Sequence, residues 1–342
     1  MIPLLLDCDP GIDDAVALGY LMCQEDVEVV GIAASGGNVP TAQTALNALS
    51  WLELAGRGDL PVHPGAELPL AAADGTFGAP PLYADTTHGP SGTGHAVLPS
   101  PRTTPSDISA AEAWVDAARA HPNELIGVVT GPCTNLALAL ELEPDLPQLI
   151  KRVFIMGGAF NYRGNTKPTT EWNIDHDPEA AARVFSGFAS AQHRPVVGPI
   201  EATEAIVMTP DRISRILHGT SDPQWHNWLE HLAEALRFYF EFHAADGHGY
   251  LAQLHDPYVL AAGLQWARNP ACTGGIPWAK TALAAVDVEL QGSLTRGETV
   301  ADWLGRWGAA PNAELIRHVQ AEDFLHHLET TLMKGPTYDH AR

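Results

Sequence analysis

The chain has 342 residues, of which 45% are hydrophobic and 18% are charged, so it can form one large core or two domains. Its 41 acidic against 19 basic side chains give a net charge of −22, which argues against nucleic-acid polymers and anionic membranes as partners. No apolar run approaches the roughly 20 residues of a membrane span, and the N-terminus does not predict a signal peptide. Four scattered cysteines, Cys8, Cys23, Cys133 and Cys272, favour a reducing cytoplasm over a disulfide framework or a zinc site.

The N-terminal stretch carries the strongest local pattern. The apolar run at residues 2–6 predicts a strand buried on both faces, and apolar residues recur at helical spacing from Ile12 onward. Between them the chain turns at Pro10 and Gly11, so four acids lie at a strand-to-helix turn: Asp7, Asp9, Asp13 and Asp14. The carboxyl edge of parallel strands is where open α/β sheets bind ligands.

Several carboxylates held together raise one another's pKa unless a cation is present. A helix N-terminus supplies only about half a positive charge, whereas a hard divalent ion with oxygen ligands neutralises the cluster. The alternative is helix capping with solvated side chains, which would suffice for a single aspartate. For Asp9, Asp13 and Asp14 together, we expect a cation site.

The next elements alternate between strands and helices. Strands are predicted at residues 27–34, 124–129, 153–156 and 195–198, and helices at 40–55, 107–120 and from Pro178. Each strand ends in a turn rich in glycine or amides, so these ends are expected to share one cleft. Residues 64–105 are predicted to be irregular, and the segment 87–95 within them is either a binding loop or a surface excursion.

The second half of the chain begins with a helical, aromatic region at residues 210–265. Its aromatic residues either pack in the core or form an apolar wall for a flat ring: Trp225, Trp228, Phe238, Tyr239, Phe242 and Tyr250. The pair Asp256-Pro257 predicts a helix start with Asp256 as its N-cap. A strand at 284–290 and a helix at 312–331 follow. We expect one α/β domain, residues 1–342, with a mainly parallel, Rossmann-like sheet flanked by helices and a helical cap near the active site.

These turns, in this order, resemble the inosine-uridine-preferring nucleoside hydrolase family. The signature is Asp-x-Asp-Pro-Gly-x-Asp-Asp at residues 7–14. Further matching segments are Asn38-Val39, Thr130-Gly131-Pro132, Thr134-Asn135, Met156-Gly157-Gly158, Asn165, Glu171-Trp172-Asn173, His255-Asp256-Pro257 and residues 286–292. The likeness covers roughly residues 2–305 and implies an enzyme of nucleoside salvage that cleaves N-glycosidic bonds of ribonucleosides with bound calcium.

The resemblance also implies roles for individual residues. The calcium ligands would be Asp9, Asp14, Asp256 and the backbone carbonyl of Thr130. Asp13, Asn38 and Asn173 would hold the ribose diol, and Asn165, Glu171 and the backbone of Met156 would hold the 5′-hydroxyl end. Asp9 would act as general base on water, and His255 would protonate the departing base unless it is a structural histidine. His88 would contact the sugar or the base.

The resemblance leaves the base preference open, because residues 246–250 do not match a base-reading pattern and Thr93 stands where many members have an apolar residue. Family members are usually homodimers or homotetramers. Two other functions are alternatives: a calcium- or nucleoside-binding protein without turnover, and an aspartate-dependent phosphatase. The phosphatase would need a cationic residue at a later strand end, where this sequence has Thr, Asn and Gly.

Overall fold

The fold is built around a nine-stranded sheet. The computed structural model describes residues 1–75, 81–269 and 275–337. The strands are β1 (Ile2–Cys8), β2 (Val27–Ala34), β3 (Val62–Pro64), β4 (Ile126–Val129), β5 (Arg152–Met156), β6 (Val196–Gly198), β7 (Val207–Met208), β8 (Ala252–Gln253), β9 (Ala279–Val288), β10 (Thr299–Asp302) and β11 (Ala313–Val319). The order across the large sheet is β10-β9-β11-β6-β5-β4-β1-β2-β3, and β7 and β8 form a separate two-stranded sheet.

Strands β1 to β6 are all parallel, and β11 continues the parallel set beside β6. Among the described strands of this sheet, antiparallel pairing is confined to one edge, where β9 pairs with β11 on one side and β10 on the other. The predicted α/β class with a mainly parallel sheet is therefore confirmed. After β1 the chain builds β2 and β3 on one side, and then β4, β5 and β6 on the other, so the strand order reverses beside β1. Such a reversal opens a crevice at the carboxyl edge, where α/β sheets bind ligands.

Helices cover both faces of the sheet. They are α1 (Ile12–Met22), α2 (Thr41–Leu54), α3 (Leu70–Ala73), α4 (Asp85–His88), α5 (Ala110–Ala120), α6 (Thr134–Leu142), α7 (Leu146–Leu149), α8 (Trp172–His176), α9 (Pro178–Gly187), α10 (Ile200–Thr203), α11 (Pro210–Gly219), α12 (Pro223–Ala245), α13 (Asp256–Ala267) and α14 (Ala321–Lys334), with a 3₁₀ turn at Phe188–Ser190. Helix α1 packs against α12, α13 and α14 on one face, while α5, α6 and α9 pack together on the other. None of the described helices combines the length and apolar composition needed to cross a bilayer.

Strand β1 runs through the middle of both apolar layers. Leu4 and Leu6 contribute to the core cluster on one face, and Leu5 contributes to the cluster on the other. All three are at most 1% exposed, as the uninterrupted apolar run predicted. Two of the aromatic residues of the region 210–265 also belong to the core, since Trp225 and Trp228 stack with ring centroids 4.5 Å apart.

Three predictions about local structure are wrong. The helix expected at 312–331 is a strand followed by a helix, because residues 313–319 pair with β6 and β9. The stretch expected to be irregular, 64–105, contains the short helices α3 and α4. Asp256 is the first residue of α13 rather than its N-cap, a position that His255 takes. The cysteines Cys8, Cys23 and Cys133 are buried and free, and Cys272 lies outside the described residues.

Candidate active site

Three buried carboxylates meet at the carboxyl edge of the sheet. Asp13 and Asp14 stand in the first turn of α1, and Asp256 opens α13, which packs against α1. One carboxylate oxygen from each lies within 4.8 Å of the others, and none of the three residues is more than 5% exposed. The structure thus brings Asp256 to Asp14 across more than two hundred residues of sequence, as the cation-site hypothesis requires.

The cluster is electrostatically strained without a cation. Burial, and after it the charge of the neighbouring Asp14, raises the pKa of Asp13 to about 7. Burial also raises the pKa of Asp9, Asp14 and Asp256, and for Asp9 and Asp256 the adjacent carboxylates add to the effect. A divalent cation among these oxygens would compensate both the lost hydration and the mutual repulsion. The donor set therefore fits a hard metal ion.

Asp9 is fixed by the turns that follow β2 and β4. The backbone N–H of Asn38 donates to Oδ2 of Asp9 at 2.7 Å, and the Asn38 side-chain amide donates to the Asp9 carbonyl at 3.0 Å. Glycine is required at two neighbouring positions, because a Cβ on Gly37 would lie 2.1 Å from Oδ2 and one on Gly131 would lie 2.8 Å from Oδ1. Both turns can approach the carboxylate this closely only because glycine has no side chain at these two positions.

Thr130 links this carboxylate frame to the polar segment after β5. Its hydroxyl donates to Oδ1 of Asp14 at 2.8 Å, and its carbonyl accepts a hydrogen bond from the Asn173 amide at 2.8 Å. A carbonyl oxygen has a second lone pair, so Thr130 can still offer an oxygen to a cation.

A second polar group lies at the other end of the site. The buried Glu171 carboxylate accepts hydrogen bonds from the backbone N–H groups of Gly158, Asn173 and Ile174, at 2.9 to 3.1 Å. Burial raises the pKa of Glu171 to about 7, and those three bonds oppose the rise. The Asn173 amide also donates to the Met156 carbonyl at 3.3 Å. Three of the residues that were predicted to hold a sugar, Met156, Glu171 and Asn173, are thus joined by hydrogen bonds.

Two predicted histidines lie above the carboxylates. Nδ1 of His255 is 2.8 Å from the hydroxyl of Thr203, and Nδ1 of His88 accepts the backbone N–H of Ile12 at 3.1 Å. Burial, together with nearby histidines, lowers the pKa of both His88 and His255 to about 3. Both rings are therefore neutral at physiological pH in the ligand-free site.

Helix α12 forms one wall of the cavity. From the sequence alone, its aromatic residues could have packed in the core or contacted a ligand. Tyr239, Phe242 and His243 line the cavity at spacings of three and four residues, which place them on one side of the helix. His243 donates from Nδ1 to the Tyr239 carbonyl at 2.9 Å, and the Tyr239 ring lies 5.3 Å from that of His88. Thr203 and His243 carry no sequence signal of a functional role, because neither stands in a strand-end turn or a recognisable motif.

A cavity of about 460 Å³ connects these groups, a size typical of small-molecule sites. The predicted site residues that line it are Asp9, Asp13, Asn38, His88, Thr130, Met156, Asn165, Glu171, Asn173, His255 and Asp256. Asp14 does not line the cavity, but it belongs to the carboxylate cluster beneath it.

The fold and the site together define an α/β enzyme. Its cavity has buried carboxylates at the base that can bind a cation, and amide side chains suited to a small polyhydroxylated ligand. The family profile described as inosine-uridine preferring nucleoside hydrolase matches residues 4–326. The chain belongs to this family, whose members hydrolyse the N-glycosidic bond of nucleosides, and the predicted family and the predicted hydrolase activity are confirmed.

Curated relatives are similar over nearly their whole length. The pyrimidine-specific ribonucleoside hydrolase RihA of Citrobacter koseri is 34% identical over 326 residues, which cover 95% of this chain and 96% of the relative. RihA of Salmonella newport is 35% identical over 327 residues with the same coverage.

Solved structures of nucleoside hydrolases share the fold. A plant nucleoside hydrolase, the PpNRh1 enzyme, superposes with a TM-score of 0.82 at 29% identity, covering 97% of this chain and 98% of that one. A purine-preferring ribonucleoside hydrolase from Gardnerella vaginalis superposes with a TM-score of 0.83 at 26% identity and the same coverage. Relatives named for both base preferences are therefore similar to this chain.

Proposed function

We propose that this enzyme hydrolyses ribonucleosides to free base and ribose with the help of a bound calcium ion. The observation that carries the proposal is the cluster of Asp13, Asp14 and Asp256 beneath a cavity of nucleoside size. Such a cluster of oxygen donors matches the ligands that calcium prefers.

The proposed protein ligands are the carboxylates of Asp9, Asp14 and Asp256 and the carbonyl of Thr130. Asp13 belongs to the same cluster and faces the cavity, so its carboxylate is available to accept hydrogen bonds from the ribose. When bound, the ion would orient the sugar hydroxyls and make nearby water more acidic.

The remaining polar residues would hold the sugar. Asp13, Asn38 and Asn173 would bind the ribose diol. Glu171, Asn165 and the Met156 backbone would bind the 5′-hydroxyl end, where the buried Glu171 carboxyl disfavours a phosphate. Hydrogen bonds from three backbone N–H groups hold Glu171 in place, so it can present an oxygen to the ligand without reorganising.

Asp9 is proposed as the general base that takes a proton from the attacking water. Its Oδ2 is anchored by the N–H of Asn38, which fixes the carboxylate relative to the sugar site. A positioned base of this kind typically contributes about 10²- to 10⁴-fold to the rate.

His255 is proposed as the acid that protonates the departing base, and His88 as a contact to the sugar or base. The Thr203 hydroxyl can donate its hydrogen to the Pro199 carbonyl, 3.2 Å away, or to Nδ1 of His255. Because the ring is neutral in the ligand-free site, His255 would first take up a proton from solvent to form the imidazolium and would then pass that proton to the departing base. Negative charge that develops on the base favours the uptake, because an adjacent anion stabilises the imidazolium.

The test is release of free ribose from uridine, cytidine, inosine and adenosine in the presence of calcium, measured by a reducing-sugar assay. Ribose release from at least one nucleoside is expected, and the panel also determines the base preference. Asp9→Asn should lower kcat by at least about 10²-fold, while Asp59→Asn, a 64%-exposed control paired with Arg57, should not. Calcium binding without ribose release from any nucleoside would instead support a binding protein without turnover.

The role of His255 is tested separately through the leaving group. His255→Ala should slow the hydrolysis of cytidine more than that of 4-nitrophenyl riboside, because nitrophenolate departs without protonation. Equal losses with both substrates would contradict the acid role and leave His255 as a structural residue.

We further propose that the enzyme folds as one domain, lies in the cytoplasm and forms a homo-oligomer. The continuous sheet and the scattered free cysteines support the first two proposals. Cell fractionation and the solution mass from light scattering test location and assembly.

A further inference from the structure

Asp7 is a buried carboxylate that the proposed reaction does not use. It is the penultimate residue of β1, two positions before Asp9, and its side chain is fully buried. Among the described residues, it is neither part of the cavity lining nor part of the carboxylate cluster. Any effect of Asp7 on the site must therefore act through the groups that it contacts.

One oxygen of Asp7 ties two turns together. The Ser35 hydroxyl donates to Oδ1 at 2.5 Å, and the Asn135 amide donates to the same oxygen at 3.0 Å. The Asn135 amide also donates to the Ser35 hydroxyl oxygen at 3.1 Å, which closes a triangle of hydrogen bonds. Ser35 and Asn135 are each 1% exposed, so water cannot readily replace these bonds.

Both turns in this triangle carry proposed site groups. Ser35 opens the turn that leads to Asn38, whose N–H anchors Oδ2 of Asp9. Asn135 lies in the first turn of α6, directly after the turn that begins at Thr130. The N–H of Thr130 donates to the Asp7 carbonyl at 2.7 Å. Asp7 thus contacts, through side chain or backbone, the turns on both sides of Asp9.

The other oxygen of Asp7 serves a different part of the fold. Oδ2 accepts a hydrogen bond from Nε1 of Trp114 at 2.8 Å. Trp114 lies on α5, is fully buried in the core and does not line the cavity. The two oxygens of one carboxylate can therefore be tested independently through their separate donors.

We propose that Asp7 is a positioning residue whose Oδ1 sets the spacing of the Asn38 and Thr130 turns, and thereby the affinity of the site for a divalent cation. This inference rests on the proposed calcium-dependent function. Ser35 and Asn135 act with Asp7 as one unit, whereas the Trp114 bond contributes to stability alone.

The experiment compares Ser35→Ala with Trp114→Phe in the full-length protein. The calcium Kd is measured by isothermal titration, the Tm by circular dichroism in chelator, and kcat/KM with the preferred nucleoside. Ser35→Ala should raise the calcium Kd about tenfold, the loss expected for one hydrogen bond to a buried charge. Trp114→Phe should lower the Tm, while its Kd stays within about twofold of the wild type.

The second variant, Asn135→Ala, removes the other donor to Oδ1 and should raise the calcium Kd in the same direction. If Ser35→Ala and Asn135→Ala lower the Tm but bind calcium like the wild type, the positioning role is overturned and Asp7 is only a structural residue. If the wild type neither binds calcium nor releases ribose, the proposed function fails and this inference fails with it. A wild type that does both, with unchanged Kd in these variants, overturns this inference alone.

Discussion

Replacing Gly37 with alanine is the sharpest test of the site geometry. The new Cβ would lie 2.1 Å from Oδ2 of Asp9 and 2.9 Å from Cδ of Pro132. Since Cβ atoms essentially never approach within 3.0 Å, the Asp9 carboxylate or the turn must move by about 1 Å (3.0 minus 2.1). Neither can move freely, because the N–H of Asn38 holds the same oxygen at 2.7 Å. A displacement of about 1 Å at a reacting group lowers the rate by about 10²-fold.

The assay measures kcat for ribose release and the calcium Kd for Gly37→Ala. We expect kcat to fall by about 10²-fold and calcium binding to weaken, because Asp9 is both proposed base and proposed ligand. Gly275→Ala is the matched control, since its Cβ would meet no atom of the described part of the chain within 4 Å. A Gly37→Ala enzyme with wild-type kcat and calcium affinity would refute the placement of Asp9 in the reaction.

Two further predictions concern the charge and the orientation of site groups. Burial and the neighbouring Asp14 raise the pKa of Asp13 from the ordinary aspartate value of about 4 to about 7, so the metal-free protein loses stability as the pH rises from about 4 to about 7. The rise in Tm on adding calcium should therefore be larger at about pH 8 than at about pH 6, and a pH-independent rise would contradict it. Thr203→Val should lower kcat for cytidine about tenfold because His255 loses its Nδ1 partner; unchanged kcat and KM would show that the hydroxyl does not orient the ring.

The sequence predicted the centre of the fold well, because its signals are local. The apolar run and the glycine turns after β1, β2 and β4 predict both the buried parallel strands and the edge of the sheet at which a ligand binds. Asp9, Asp13 and Asn38 could be placed at that edge from spacing alone. Asp256 could not, since its approach to Asp14 depends on how α13 packs against α1, and only the family resemblance supplied it.

The antiparallel edge of the sheet was harder to predict. Residues 313–319 become a strand because β6 and β9 offer partners on both sides, and no short-range pattern reports that pairing. Tyr239 and His243 line the cavity only because α12 crosses the site at that turn, and Tyr239 also packs in the core. In both cases the deciding contact is tertiary, which local propensity cannot encode.

The carboxylate cluster and the frame around it have opposite effects on stability. Buried aspartates that repel one another destabilise the metal-free fold, while the hydrogen bonds from Ser35, Asn38 and Asn135 hold the same turns together. The frame must be stiff enough to keep Asp13, Asp14 and Asp256 close, with Asp9 held in place beside them, before a cation arrives. Such a preorganised site has a high affinity for a cation, because the aspartates already repel one another in the metal-free fold. Binding of the cation relieves this repulsion and does not have to bring the carboxylates together.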